Sequence, residues 1–134
     1  MNDKLIRYNG NNNNVKIPEG VKTIGTRAFF NCTNLVELTL PNSVLTIEES
    51  AFFGCVNLEH ISIPNSIISI GYAAFLRCEK IKTTSYGNGE YLGNDKNPYL
   101  VLYKIATKNI LSFDIYDGTK VLYESIFDNC TKLD

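Results

Sequence analysis

Residues 35–55 read LVELTLPNSVLTIEESAFFGC and residues 58–78 read LEHISIPNSIISIGYAAFLRC, the same pattern displaced by 23 positions. The displacement runs along much of the chain: Pro18, Pro41 and Pro64 stand 23 residues apart, and so do Cys32, Cys55 and Cys78. A period of this length marks a repeat protein. Each unit buries its apolar side against its neighbours, so stability accumulates coil by coil and not around one central core.

An earlier copy runs Val15-Lys16-Ile17-Pro18, then Val21, Ile24-Gly25, Ala28-Phe29-Phe30, Cys32 and Leu35. A later, degenerate copy keeps Phe113, Ile115, Leu122, Ile126-Phe127, Cys130 and Leu133, with Tyr116 at the proline position. Alternation around Leu38 and Leu40 predicts a short strand with those two side chains inward. The proline ends it, because it has no N–H to donate to a neighbouring coil. Asn-Ser or Glu-Gly then supplies turn chemistry, and Val-x-x-Ile reads as a second, shorter strand. Ala-Phe-Phe-x-Cys is too short for an independent helix and reads as one helical or 3₁₀ turn. Its aromatic and thiol side chains point inward, which makes Phe29, Phe52, Phe75 and Phe127 buried equivalents.

These copies resemble the BspA-like leucine-rich repeats, whose recurring core looks like Leu-x-x-Ile-x-Ile-Pro-x-x-Val-x-x-Ile-Gly-x-x-Ala-Phe-x-x-Cys-x-x-Leu. The match covers Val15 to Ile81 and Ser112 to Leu133. The resemblance implies an α/β repeat solenoid: a right-handed leucine-rich-repeat superhelix, strand-dominated, with short helical or 3₁₀ turns and a β-hairpin insertion. It also implies surface proteins of bacteria and some protists, used in adhesion or in contact with host or extracellular-matrix proteins. An extracellular or cell-surface location follows from the resemblance alone.

Two segments leave the rhythm. Cys78 and Cys130 are 52 residues apart, 29 more than one repeat. Between them Gly87-Asn88-Gly89, Tyr91-Leu92-Gly93 and Asn97-Pro98 alternate with the strand-like Tyr99-Leu100-Val101-Leu102-Tyr103, which predicts a hairpin-like insertion. At the start, Leu5 to Tyr8 reads as a strand, Asn9 to Asn14 as a polar loop and Val15 to Ile17 as the returning strand. The expected organisation is one domain over 1–134: an N-terminal hairpin at 1–17, regular repeats at 18–81, the insertion at 82–111 and a degenerate last repeat at 112–134. Leu133 falls where other copies begin a strand, so the chain reads as a segment of a longer array with an uncovered last coil.

Composition narrows the function. With 44% hydrophobic residues there is apolar material for one folded domain. A net charge of −1, with scattered lysines and arginines, makes no basic surface for nucleic acid. No stretch approaches the ~20 apolar residues of a membrane-spanning helix, and Met1 to Lys4 lacks the apolar core of a secretory signal.

Sites for chemistry are sparse. The cysteine spacings do not resemble the Cys-x-x-Cys pairs of zinc sites, and one thiol per coil reads as a buried ladder of small hydrophobes. His60 occupies an outward strand position, with neighbouring Glu59 on the opposite side. Asn31-Cys32-Thr33 and Asn129-Cys130-Thr131 fit the glycosylation pattern, but both fall on the repeat's own turn. No catalytic, cofactor-binding or metal-ligating set emerges, and the expectation is a protein that is not an enzyme.

Binding is expected on the strand face. Its outward residues stack into two columns, Asn14, Glu37, His60, Thr83 and Ser112, then Lys16, Thr39, Ser62, Ser85 and Asp114. Five such strands make a strip of roughly 400 Å² in projection, about half of the ~800 Å² that each partner buries in a standard interface. Tyr91, Tyr99 and Tyr103 of the insertion are the better anchors, with ring burial as the competing reading. The candidate partner-binding residues are therefore Glu37, Thr39, His60, Ser62, Thr83, Ser85, Tyr91 and Tyr99. Two functions fit this face: an interaction or adhesion segment of a longer surface array, or a structural spacer that recognises nothing itself.

Overall fold

The computed structural model describes residues 3–106, 111–124, 126 and 127. Short strands recur at the repeat interval. One column contains β1 (Lys4–Leu5), β3 (Thr23–Ile24), β5 (Thr46–Ile47) and β7 (Ser69–Ile70), and the other contains β2 (Asn14–Lys16), β4 (Glu37–Thr39) and β6 (His60–Ser62). Each column is a parallel sheet, ordered β1-β3-β5-β7 and β2-β4-β6. Thr23 pairs with Thr46 and Thr46 with Ser69, while Leu38 pairs with Val15 on one side and Ile61 on the other. The register equals the sequence period, so equivalent residues stack directly over one another.

Between the two sheets lies the core. Ile24 and Ile47, Ala28, Ala51 and Ala74, and Leu35 and Leu58 are all buried. Phe29, Phe52 and Phe75 form an inner ring column, stacked at 5.1 and 5.3 Å between centroids. Tyr8 extends it at one end, 5.0 Å from Phe29. A second, half-buried column places Phe30 on Phe53 at 5.0 Å, with the Arg27 guanidinium over Phe30. Pro41 and Pro64 each open a turn closed by the N–H of Val44 or Ile67. The hydroxyls of Ser43 and Ser66 then donate to the carbonyls of Val21 and Val44 in the preceding coil. Serine in this turn therefore joins coils as well as bending the chain.

The Ala-Phe-Phe segment differs from its expected helical or 3₁₀ form. It is a run of turns, and no helix occurs among the described residues. The reason lies in the backbone. Arg27, Ser50 and Ala73, one per coil, have φ of 57, 54 and 54°, and Asn31, Gly54 and Arg77 have 55, 75 and 66°. Two left-handed residues per coil stop a helix from propagating. They also turn alternate N–H groups outward: Arg27, Phe29 and Asn31 donate to Glu49, Ala51 and Phe53 of the next coil, while Ala28, Phe30 and Cys32 close turns inside their own. At Gly54 a Cβ would run into the Asn31 carboxamide, so the tight approach of two coils also demands glycine there.

The expected N-terminal hairpin over 1–17 is not formed. β1 pairs in parallel with β3, and β2 in parallel with β4, so β1 and β2 belong to different sheets. Residues 4–8 are instead the remnant of a preceding coil: Tyr8 N–H donates to Ala28, and its ring takes the column position next to Phe29. Local strand propensity and a polar loop suggested a hairpin, but stacking apolar residues on an existing coil buries more surface than a two-stranded ribbon can.

After Ile81 the chain forms a third sheet. β8 (Thr84–Tyr86), β9 (Gly89–Leu92) and β10 (Val101–Ile105) run antiparallel, and β11 (Val121–Leu122) pairs in parallel with β10. Residues 112–115 are not in a strand, so the fifth member of each expected column is missing. Phe127 does not extend the inner ring column either. Tyr103 and Tyr123 sit beside Phe75, each 6.0 Å away, whereas Phe127 meets Phe113 edge-on in a separate cluster with Tyr91, Leu102 and Ile126. Cys130 and Leu133, and with them the expected uncovered last coil, lie outside the described residues.

Phe52, fully buried between two stacked rings, is the strongest test of this packing. Phe52→Ala should cost about 3–5 kcal/mol in a denaturant melt, as for other buried aromatics; a loss below about 1 kcal/mol would mean that the column is not packed as described.

Candidate functional site

The outward face of β4 and β6 and the β9–β10 connection enclose a cleft of about 440 Å³. Glu37, Thr39, His60 and Ser62 supply one wall, and Gly93, Asn94, Asp95 and Pro98 the other, with Lys82 and Thr84 also lining the cleft. The polar columns of the repeat therefore do not lie on an open sheet. They end against a wall built by the insertion.

The cleft exists because the repeat register fails at one residue. Lys82 N–H still donates to Glu59, as Glu59 N–H does to Val36 one coil earlier. From Thr83 onward the chain leaves β6 and pairs with β9 instead. As the fourth members of the two columns, Thr83 and Ser85 are expected to face outward beside His60 and Ser62. Neither lines the cleft: the Thr83 hydroxyl donates to Glu90 at 2.8 Å, and Ser85 pairs with Glu90 within the β8–β9 hairpin. Lys82 and Thr84 take their place. β8 follows the register of β9 and not that of β6, so the repeat offset no longer decides which of its residues line the cleft. The outward strip thus spans three strands, β2, β4 and β6, or roughly 240 Å² in projection.

The expected tyrosine anchors are structural. Tyr91 is 1% exposed and its hydroxyl accepts from Tyr116 N–H. Tyr99 is half-buried, 4.4 Å from Tyr116 and 5.6 Å from both Tyr86 and Tyr91. Tyr103 is buried beside Phe75 and Tyr123. Tyr103 joins the third sheet to the last regular coil through Phe75, while Tyr91 and Tyr99 pack with Tyr86 and Tyr116 in the separate cluster. Tyr91 lines the cleft as a buried residue, while Tyr99 and Tyr103 do not reach it.

The wall residues that sequence reasoning missed are those of the β9–β10 connection. Asn94 organises it: its Oδ1 accepts from the N–H groups of Lys96 and Asn97, and its Nδ2 donates to the Ile63 carbonyl at 2.7 Å and to Asn65 Oδ1. Gly93 accepts from Ile63 N–H, and a Cβ there would collide with the Asn97 carbonyl. Gly93-Asn94 and Asn97-Pro98 are legible as turn signals. That the turn closes over β6 is not, because it depends on contacts 30 residues apart in sequence.

Charge in the cleft is unevenly paired. Lys82 meets Glu59 at 3.5 Å. Glu37 and Asp95 line the same space with no ion-pair partner among the described residues. His60 is exposed beside Glu37 in register.

The thiols lie away from the cleft. Cys55 and Cys78 are buried and unbridged, and each Sγ donates to the carbonyl of the inner-column phenylalanine one coil back, Phe29 or Phe52, at 3.0 Å. Interaction with the Cys78 thiol, together with burial, pushes Cys55 well above the ordinary thiol range. Cys32 is half-buried; its thiol is raised by burial and by nearby Cys55, and pulled back by Arg7. The Cys55 thiol is protonated and covered, a poor nucleophile, while Cys78, which its contact with Cys55 pulls down, is kept from reagents by burial. Asn31 of the first glycosylation pattern lies in the left-handed turn and donates its N–H to Phe53, as a turn residue should. The second pattern falls outside the described residues.

A strand-dominated solenoid of stacked 23-residue coils, with two parallel sheets and a polar outward face, defines a leucine-rich-repeat-type protein. The BspA type leucine rich repeat region matches residues 2–134 in six copies. The chain belongs to that family. Among solved structures it is similar to the T. pallidum leucine rich repeat protein, with a TM-score of 0.64 and 24% identity over 97% of this chain and 60% of that one. It is also similar to a leucine rich cell surface protein from Faecalibacterium prausnitzii A2-165, with a TM-score of 0.62 and 28% identity over 98% of this chain and 34% of that one. A leucine-rich repeat protein from Bacteroides ovatus gives a TM-score of 0.58 and 26% identity, over 98% and 35%. The chain thus spans 60% or less of the length of each of these proteins. No curated protein matches it.

Two measurements check the chemistry of the core. Thiol titration should find four reactive groups in denaturant, while in buffer Cys55 and Cys78 resist modification at least tenfold longer than Cys32, in line with their burial. Alkaline titration should separate the tyrosines. Burial, chiefly, raises Tyr123 to about 12 and Tyr103 higher still. A tyrosine raised in the folded state leaves stability unchanged below its unfolded value near 10 and removes it as pH climbs through the folded value. Stability should therefore be flat to about pH 10 and fall toward pH 12; a flat profile to pH 12 would contradict the buried placement of these two rings.

Proposed function

We propose that this chain is a non-enzymatic protein-interaction module of a surface leucine-rich-repeat protein, and that it makes contact through the β4–β6 cleft. The observation that carries this reading is the cleft itself. In it the outward columns of the repeat (Glu37, Thr39, His60 and Ser62) converge with the Asn94–Asp95 wall. Membership of the BspA type family supports it, as does similarity to a protein described as a leucine rich cell surface protein. The partner is a protein of the host or extracellular-matrix kind, and the location is the cell surface. The proposed organisation is a single repeat domain, regular over 18–81, with an insertion at 82–111 and a degenerate repeat at 112–134. Its winding is right-handed, as parallel crossovers nearly always are.

The spacer reading is favoured by one observation, the small polar side chains along the columns, which lack the Trp, Tyr and Arg that usually anchor an interface. The cleft argues the other way, since concave polar surfaces hold partners that flat ones cannot. Immobilised extracellular-matrix proteins, probed with the purified chain by surface plasmon resonance, separate the two. Binding that drops about tenfold or more in a Thr39→Arg/Ser62→Arg variant of unchanged melting temperature is the expected result, a loss of about 1.4 kcal/mol. No binding to any member of the panel, or binding indifferent to the two arginines, would leave the spacer as the function.

A further inference from the structure

We propose that the cleft takes an extended peptide segment bearing basic side chains, which adds to β6 as a short extra strand through the backbone of Ile61. This deepens the interaction reading above and rests on it.

The backbone of β6 alternates in direction. His60 N–H donates to Val36 on the β4 side. Successive residues of a strand direct their N–H and C=O groups to opposite edges, so the peptide groups of Ile61 and Ile63 face the other way, as does the carbonyl of Glu59. Two of these three positions are satisfied there: the Glu59 carbonyl accepts from Lys82 N–H, Ile63 N–H donates to Gly93, and the Ile63 carbonyl accepts from Asn94. Between them, no bond from a described residue reaches the N–H or C=O of Ile61 on that edge. Ile61 lines the cleft. In every earlier coil the next strand fills the equivalent position; Leu38, for example, pairs with Ile61 itself. The departure of the chain at Thr83 leaves one donor and one acceptor on that edge for a single residue of an incoming segment, whose two ends turn outward past Lys82 and Gly93.

An extended peptide suits this gap better than other ligand classes. A residue laid beside Ile61 completes both hydrogen bonds at once, which is the chemistry of strand addition. A glycan is disfavoured because no exposed aromatic ring lines the cleft for a sugar to stack on; Tyr91, which does line it, is buried. The side chains of an added strand alternate, and those on the outward side lie beside His60 and Ser62; long ones extend toward Asp95 and, one strand beyond, Glu37, whose charges lack ion-pair partners among the described residues. Lysine or arginine at those positions completes them; a glutamate would add repulsion.

The test uses three capped heptapeptides, Ac-Thr-Val-X-Val-X-Val-Thr-NH2, with X as Lys, Glu or Ser on either side of the central valine that pairs with Ile61, titrated against the whole chain at low salt. Backbone amide shifts and hydrogen exchange are read together. The Lys peptide should bind, slow exchange of the Ile61 amide about tenfold at saturation, and bind at least about tenfold more tightly than the Glu peptide. N-methylation of its central residue should weaken it by a similar factor, because that removes the donor to the Ile61 carbonyl. Glu37→Gln/Asp95→Asn should erase the preference for Lys over Glu without changing the fold. Binding without Ile61 protection, or insensitive to N-methylation, would overturn strand addition while leaving the interaction reading intact. Equal affinity for Lys and Glu peptides would overturn the basic preference, and failure of all three to bind would overturn the proposal. The response to immobilised matrix proteins decides the broader reading independently.

Discussion

Main-chain hydrogen bonds between successive coils, made at an unvarying step, are the constraint on which the rest of this structure depends. Both sheets and the turn face between them use it. Arg27 reaches Glu49, Phe29 reaches Ala51 and Asn31 reaches Phe53, and one coil later Ser50, Phe52 and Gly54 repeat the set onto Tyr72, Ala74 and Leu76. Because every coil bonds to the next through equivalent residues, side chains are forced into columns. A residue type that packs well once packs well each time. Phenylalanine over phenylalanine and alanine over alanine follow from that geometry, as do hydroxyl and thiol donors that reach one coil back.

The same constraint explains how local strain is tolerated. A non-glycine residue at positive φ is uncommon and mildly unfavourable. Here it recurs at the position of Arg27, Ser50 and Ala73. The left-handed turn directs alternate N–H groups toward the next coil, and the hydrogen bonds gained there offset its cost. An isolated Ala-Phe-Phe segment has no such neighbour, which is why a helical turn is the natural reading of the segment alone and a run of turns is what the stack produces.

Function, on this view, begins where the periodicity fails. A perfect solenoid would present an even polar strip with every internal strand paired on both edges. When the chain turns away at Thr83, it leaves β6 with an incomplete edge and sends the Asn94 turn back to close one side of the gap. The tyrosines of the insertion serve this arrangement from below. Tyr91, Tyr99 and Tyr116 pack on one another beside the third sheet, and Asn94 bonds to Ile63 at its edge.

From the sequence alone came the 23-residue unit, its two strand positions, the inward columns of Phe29, Phe52 and Phe75, and the outward placement of Glu37, Thr39, His60 and Ser62. All of these follow from periodicity, because a repeated pattern of apolar and polar residues can be buried consistently in only one register. Tertiary structure alone decided the fate of the non-repeating parts. Leu5 to Tyr8 became a remnant coil and not a hairpin strand, Thr83 and Ser85 gave up the outward face to Lys82 and Thr84, and Tyr91 was buried. In each case the deciding contact joins segments with no common pattern: Tyr8 with Phe29, β8 with β9, Asn94 with Ile63. Periodicity encodes contacts between like residues one repeat apart. It carries no information about contacts between unlike ones, and the cleft is made of those.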